Sequence, residues 1–289
     1  MTPHVRWLAG ALLAAAWAIP ARATPADAAM ANAAPAEPFA IEAAYDIDVA
    51  GVPAGEVTAQ GFMQDGRYRV RMAMRSVGMI DWVLGFRSTA ETSGAFAGNA
   101  VVPSFHAADN EWMGEVRTVR TGFDARGVTT NEVRPTAEED GREPVPPERM
   151  IGAVDPLSAG LLLAAEGAAQ SCRGKAAVFD GRRSYDLWLE GGSDEALEEG
   201  ALAGTARRCT MVYLRTGGRS ANPWLPLSGS EDPQEGAMWF VPAGLPGFQV
   251  PARIEADAGI GTAVLTLTSW RVCPGVVACP PQPSPASRD

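Results

Sequence analysis

Of the two histidines in the chain, only His106 lies outside an N-terminal leader-like run, so it is the one imidazole available as a general base or metal ligand. It has no second histidine with which to share a metal, and it stands in a strand-like stretch beside Phe105. A core histidine is the plainer reading, and neither metal nor cofactor is expected. Nucleophilic catalysis has no footing either, because the sequence contains no Gly-x-Ser-x-Gly elbow and no Ser-x-x-Lys pair. Two carboxylate pairs, Asp46 with Asp48 and Asp186 with Glu190, could serve a glycosidase, but alternation puts the first pair on the solvent face of a strand. Arg67, Arg69 and Arg71 form a row about 13 Å long at strand spacing that could grip phosphates or carboxylates of a lipid headgroup or glycan. The alternative is a solvated face balanced by acids, and both readings stay open here.

All four cysteines fall in the second half, at Cys172, Cys209, Cys273 and Cys279. An even count behind an export signal favours disulfides over free thiols. Of three connectivities, Cys172 with Cys209 and Cys273 with Cys279 is favoured, because the two groups occupy separate segments. The Cys273 to Cys279 spacing is not that of a Cys-x-x-Cys redox site. Met63, Met72, Met74, Met79, Trp82, Trp224 and Trp239 supply adaptable and flat apolar side chains that could line a lipid groove, although such residues more often fill a core.

The elements that must position these residues read as strands. Tyr45, Ile47 and Val49 alternate with Asp46 and Asp48, and Tyr68, Val70, Met72 and Met74 alternate with arginines across the strand that follows the Asp65-Gly66 hairpin signal. Further strands are expected over 56–63, 87–96, 103–110, 115–123 and 127–133, then a proline-rich connection over 134–148. Asp155-Pro156 offers an N-cap followed by proline at the first helical position, so one principal helix is expected near 156–166. Strands resume over 175–179, 184–189, 205–214, 237–241, 249–256 and 262–272, with a second hairpin signal at Asp180-Gly181. The 216–236 segment, which contains Trp224, reads as a lid or an excursion. The class is all-β, an antiparallel meander.

At the N-terminus, Arg6, the apolar run from Trp7 to Ile19 and Ala21-Arg22-Ala23 spell a cleavable signal peptide over 1–23, without a cysteine for lipidation. A periplasmic location follows, with a flexible linker over 24–38, one β domain over 39–272 and a proline-rich tail over 273–289. No transmembrane segment of about 20 apolar residues is expected. The formal charge of −10 becomes about −12 once Arg6 and Arg22 are removed. Such a surface repels phosphate backbones, so nucleic acid is not an expected partner.

The runs Asp155-Pro156-Leu157-Ser158-Ala159, Val178-Phe179-Asp180-Gly181-Arg182-Arg183-Ser184-Tyr185-Asp186-Leu187, Trp82-Val83-Leu84-Gly85-Phe86-Arg87 and Val250-Pro251-Ala252-Arg253-Ile254-Glu255 resemble the bacterial exported family known as domain of unknown function 3108. The resemblance spans about 39–270. It implies a strongly curved antiparallel sheet, an unclosed β-barrel or β-spiral around the principal helix, similar in outline to lipoprotein-carrier folds. It singles out Trp82, Phe86, Asp155, Pro156, Asp180, Gly181, Arg182 and Arg183 as a ligand-binding or structural motif, to which the Trp224 loop is added as a candidate gate. The leading expectation is a non-catalytic envelope protein binding a lipid, a glycan or an envelope protein. A carboxylate-dependent hydrolase and a ligand-free scaffold are the alternatives, and the oligomeric state is left open.

Overall fold

The fold comes from a computed structural model that describes residues 37–97, 100–220, 232–245 and 247–280. The signal-peptide reading, most of the 24–38 linker, the Trp224 loop and the last nine residues lie outside the described residues. Thirteen strands form one sheet in the order β7-β6-β5-β4-β3-β2-β1-β13-β12-β11-β10-β9-β8. They are β1 (Phe39–Val49), β2 (Val52–Gln64), β3 (Arg67–Ser76), β4 (Arg87–Ala97), β5 (Ala100–Trp112), β6 (Glu115–Asp124), β7 (Gly127–Arg134), β8 (Lys175–Phe179), β9 (Ser184–Leu197), β10 (Gly204–Gly217), β11 (Gln234–Pro242), β12 (Gln249–Asp257) and β13 (Thr262–Pro274). Every neighbouring pair is antiparallel, and the first and last strands pair with each other from Phe39 against Pro274 to Val49 against Ala263.

Period-two alternation sets the two faces of this wall. On β3, Tyr68 is buried and Val70, Met72 and Met74 are half-buried, while Arg67, Arg69, Arg71 and Arg75 are exposed. Register shifts at Ala44/Tyr45, Ile47/Asp48, Ser93/Gly94, Gly122/Phe123, Arg208/Thr210 and Trp239/Phe240 bend the strands. Each extra residue increases the local twist, which curls a long sheet toward a barrel. The barrel has one seam, between β7 and β8. There the segment 150–154 stitches the two edges, with Val128 N–H donating to the Met150 carbonyl at 3.1 Å and Val154 N–H donating to the Ala177 carbonyl at 2.9 Å.

Among the described residues, three short α-helices, α1 (Gly78–Leu84), α2 (Pro156–Ala164) and α3 (Glu166–Ser171), and one 3-10 turn (Pro147–Arg149) complete the fold. The principal helix ends earlier than expected, because Ala165 leaves helical geometry at φ −55°, ψ 134° and the chain restarts as α3. Its N–H closes the last turn of α2 while its main chain bridges to Phe248, so the break comes from tertiary contact. Because α2 touches β4, β5, β8, β9 and β12, strands on opposite sides of the wall, it lies inside the barrel. Leu163 packs there against Ala169, Cys172, Cys209, Met238 and Phe240. A larger cluster around Phe39, Met63, Tyr68, Trp239, Phe248 and Leu267 fills the rest of the interior. Both expected disulfides are present, Cys172–Cys209 in this core and Cys273–Cys279 at the end of β13. No helix among the described residues is long and apolar enough to cross a membrane.

Since the strands alternate in direction, the β1–β2, β3–β4, β5–β6, β8–β9 and β12–β13 connections share one end of the barrel. Helix α1 lies on that end, between β3 and β4.

Candidate functional site

Three places in the fold gather the residues singled out in the sequence. The first is inside. Asp155, fully buried, caps α2 by accepting from Leu157 N–H and Ser158 N–H at 3.0 Å each through Oδ1. Its Oδ2 accepts from Ser158 Oγ at 2.5 Å and from Thr92 Oγ1 at 2.8 Å. With the Ser158 hydrogen committed to Asp155, Tyr68 Oη donates to Ser158 Oγ at 2.7 Å. His106 is buried too, with Nδ1 3.5 Å from Asp155 Oδ1 and no hydrogen-bond partner. Burial pulls the imidazole pKa below its ordinary value, against the attraction of Asp155. A serine, a histidine and an aspartate thus meet, but the aspartate sits in the middle. In a nucleophilic triad the histidine must stand between the other two so that it can take the serine proton. The group is sealed from solvent and anchors the N-terminus of α2 to β3, β4 and β5. Pro156, at the first helical position, gives up no hydrogen bond there.

The second place is the seam. Asp180 Oδ1 accepts from the N–H groups of Arg182 and Arg183 at 2.9 and 2.7 Å, which fixes the β8–β9 turn. Gly181 adopts φ +89°, and a Cβ there would fall 2.2 Å from Val119 Cγ1. Across the seam, Asn131 Nδ2 donates to the Gly181 carbonyl at 2.9 Å and Arg182 Nη2 donates to the Arg134 carbonyl at 2.6 Å. Arg182 also joins Arg117 and Arg142 around the buried carboxylate of Asp140. Arg183 pairs with Asp180 at 2.7 Å, and Asp186 approaches Lys175 at 3.9 Å. The turn is a second clamp across the seam, beside the 150–154 segment.

The third place is α1 and its surroundings. An amphipathic surface helix normally turns its apolar stripe to the core. Here the pattern is inverted in part, since Ile80 is half-buried but three other apolar side chains are turned to water. Met79, Trp82 and Val83, at i, i+3 and i+4, are exposed, Met79 by 77% and Trp82 by 89%, while Asp81 faces the wall. Ser76 Oγ donates to Asp81 Oδ1 at 2.7 Å and Arg87 Nη1 donates to the same oxygen at 2.5 Å. The Arg87 guanidinium and the Ser76 hydroxyl hold the Asp81 carboxyl down at about 2. Gly85, at φ +54°, closes the helix by donating its N–H to the Asp81 carbonyl at 2.8 Å, and Phe86 N–H donates to Ser76 Oγ at 2.9 Å. The run from Trp82 to Arg87 is therefore a clip whose ionic half fastens it to β3 and β4 and whose apolar half is held in water. The reading of Met79 and Trp82 as core residues is corrected by this exposure, whereas Met63 and Trp239 do lie in the core.

Other exposed apolar side chains share this end: Val52 after the β1–β2 turn, Met113 and Val116 at the β5–β6 turn, and Ile260 in the β12–β13 turn. The turns abut one another, since Ala50 N–H donates to the Thr262 carbonyl and Val77 N–H to the Ala54 carbonyl. Apolar side chains gathered at one end of a fold make that end a candidate interaction site. No periodicity could have found this rim, because its members belong to four different connections.

Beside α1, the outer wall of β2–β6 carries two adjoining hollows of about 390 and 460 Å³. Their shared floor is small, Thr58, Ala73 and Thr89. Their walls are ionic, Arg75 with Glu56 at 2.6 Å, Arg71 with Glu91 at 2.7 Å and Arg120 with Asp109 at 2.8 Å. The arginine row of β3 lies on the outer face, where Arg71 and, at 3.9 Å, Arg69 share Glu91. Of the suggested carboxylates, Asp46 is exposed, and Glu190 accepts from Trp188 Nε1 at 3.0 Å.

No curated protein matches this sequence. Among solved structures, the chain is similar to a beta-barrel-like protein of domain of unknown function DUF1849 from Brucella abortus, with a TM-score of 0.43 and 8% identity over 82% of this chain and 98% of that one. It is also similar to a DUF1329 family protein from Desulfovibrio piger, with a TM-score of 0.26 and 9% identity over 85% and 90% of the two chains. Residues 44–268, from the middle of β1 to the middle of β13 and with the polar node, the seam clamp and the α1 clip all inside them, match the family described as "Protein of unknown function (DUF3108)", and the chain belongs to that family.

Proposed function

We propose that this protein is a non-catalytic binding protein of the bacterial envelope that engages an apolar partner through the end of the barrel at α1. The observation that carries this reading is the inverted helix: Met79, Trp82 and Val83 are held in water by a helix whose only acid, Asp81, is pinned inward. Leaving a Trp side chain in water costs about 2–3 kcal/mol relative to burying it, which a fold of marginal stability has little reason to accept without a use for that face. Export supports the compartment. The leader-like N-terminus, two disulfides and the absence among the described residues of a membrane-spanning helix all suit an oxidising envelope space.

A carrier with its cargo inside the barrel has less support, because α2 and the Phe39–Leu267 cluster occupy that space. Hydrolysis has less support as well, since the buried Asp155, Ser158 and His106 have the wrong order for proton transfer and no route to a substrate. The test is a titration of the oxidised protein with the apolar dye bis-ANS. The wild type should bind with strong enhancement, and Met79→Ser with Trp82→Ser should lose most of it at an unchanged melting temperature. Equal enhancement in both proteins would sink the reading.

A further inference from the structure

We propose that the occupant of this end is an electrically neutral, zwitterionic lipid surface, with Trp82 at the centre of the contact; this rests on the reading that α1 is the binding face.

Two observations select a lipid surface over a peptide or a second copy of the chain. Among the described residues, seven of the eleven large apolar side chains that are exposed are carried on four connections at one end, Val52, the α1 face of Met79, Trp82 and Val83, Met113 with Val116, and Ile260, while Ile151, Val276 and Val277 are scattered at the other end. Peptides and helices dock into grooves, whereas a bilayer is broad and yielding and accepts separate protrusions side by side. The side-chain types are also those of an interfacial contact: one large amphipathic ring surrounded by Met, Val and Ile.

Charge decides which lipid. Among the described residues, the basic groups around α1 are paired, Arg75 with Glu56, Arg87 with Asp81, and Arg117 with Asp140 and Glu115. Among the described residues no row of unpaired bases stands beside α1 to select anionic headgroups, and the whole chain is at −10, so an anionic surface repels it. The hollow that opens beside α1 carries both signs within one site, Arg75 and Arg87 against Glu56, Asp109 and Glu111. Most of these charges are paired within the protein, Arg75 with Glu56, Arg87 with Asp81 and Asp109 with Arg120, so the hollow is a dipolar wall with little net field toward a headgroup that carries both signs. The complementarity is therefore to a neutral dipolar surface, in which the apolar tips enter the acyl boundary while the hollow meets headgroups.

The test is flotation of the folded, disulfide-intact protein with extruded phosphatidylcholine vesicles. The wild type should float. Met79→Ser combined with Trp82→Ser should reduce partitioning by about tenfold, a difference of 1.4 kcal/mol by the affinity scale. Phe105→Ser, which removes an exposed ring on the outer wall away from this end, should float like the wild type. Replacing a third of the lipid by phosphatidylglycerol should weaken binding at low salt. Failure to float on neutral vesicles, flotation that the double variant leaves unchanged, or flotation that requires the anionic lipid would each overturn the proposal. The dye titration separates the two levels: bis-ANS bound at α1 without flotation leaves an apolar site whose partner is not a bilayer, while loss of both removes the binding face itself.

Discussion

Asp155→Ala is the substitution whose cost can be worked most closely from the structure. The carboxylate caps α2 with two hydrogen bonds to main-chain N–H groups and takes two more from the hydroxyls of Ser158 and Thr92, all in a sealed interior. Loss of an N-cap side chain costs about 1–2 kcal/mol. Each buried donor left without an acceptor adds about 1–3 kcal/mol, but the fold softens this term. Thr92 Oγ1 can turn to the Phe105 carbonyl, 3.0 Å away, and Ser158 keeps Tyr68. The expected total is about 3–5 kcal/mol, a large share of the roughly 5–15 kcal/mol that holds a domain together. Asp155→Asn should cost only about 1–2 kcal/mol, because its carbonyl oxygen can still cap the helix and both hydroxyls can rotate to accept from the amide. The assay is guanidinium unfolding of the oxidised protein, followed by tryptophan fluorescence, with the slope checked for constancy. The reasoning fails if the alanine variant lies within about 1 kcal/mol of the wild type, or if the asparagine variant is as unstable as the alanine one.

The other predictions concern the same interior and the seam. His106 has a lowered folded pKa from burial, opposed by Asp155 and Asp180 and reinforced by Arg120, so the unfolded chain binds the proton first. Its contribution is whole above the unfolded value of about 6.5 and is lost as the pH falls below it, at up to about 1.4 kcal/mol per pH unit. His106→Asn should therefore show a smaller stability loss than the wild type between about pH 7.5 and pH 5.5, and an equal or larger loss would contradict this assignment. Opening the Cys172–Cys209 bridge, which spans 37 residues, should cost about 4 kcal/mol through the unfolded state. Opening Cys273–Cys279, which spans 6, should cost roughly 2 kcal/mol. Paired alanine variants compared by unfolding midpoint would check the order. Gly181→Ala places a methyl 2.2 Å from Val119 Cγ1 at a positive φ, so it should destabilise the seam by about 2–4 kcal/mol, while Arg183→Ala, which loses a partly exposed pair, should change stability by less than about 1 kcal/mol. A neutral Gly181→Ala in the same unfolding assay would mean that the β8–β9 turn does not clamp the barrel.

What was legible in the sequence followed one physical rule. A strand with one wet face must alternate, and Tyr68 to Met74 against the arginines did so without exception apart from Ala73. Asp155-Pro156 was legible because capping chemistry is local. Strand ends were less so: β9 continues to Leu197 through Glu190-Gly191-Gly192, where exposed and bulged residues carry no hydrophobic period. The break at Ala165 had no glycine or proline to mark it. The α1 clip was hidden for a different reason. Met79, Trp82 and Val83 have the spacing of a buried stripe, and only the pairing of Asp81 with Ser76 and Arg87 reveals that the stripe faces water. Helical spacing records that a face is apolar, whereas tertiary contacts decide which side it turns to. The meeting of His106 with Asp155 and the grip of Arg182 on the Arg134 carbonyl likewise join residues far apart in the chain.

The most direct test of the account is photocrosslinking in the native envelope, with benzoylphenylalanine replacing Trp82 in one protein and Arg126 in another. Both side chains are about nine-tenths exposed, but Arg126 stands in the β6–β7 turn at the opposite end of the barrel. The account predicts a discrete adduct, lipid by mass, from position 82 and none from position 126. Equal labelling at both positions, or none at 82, would contradict the claim that the inverted helix is where this protein meets its partner.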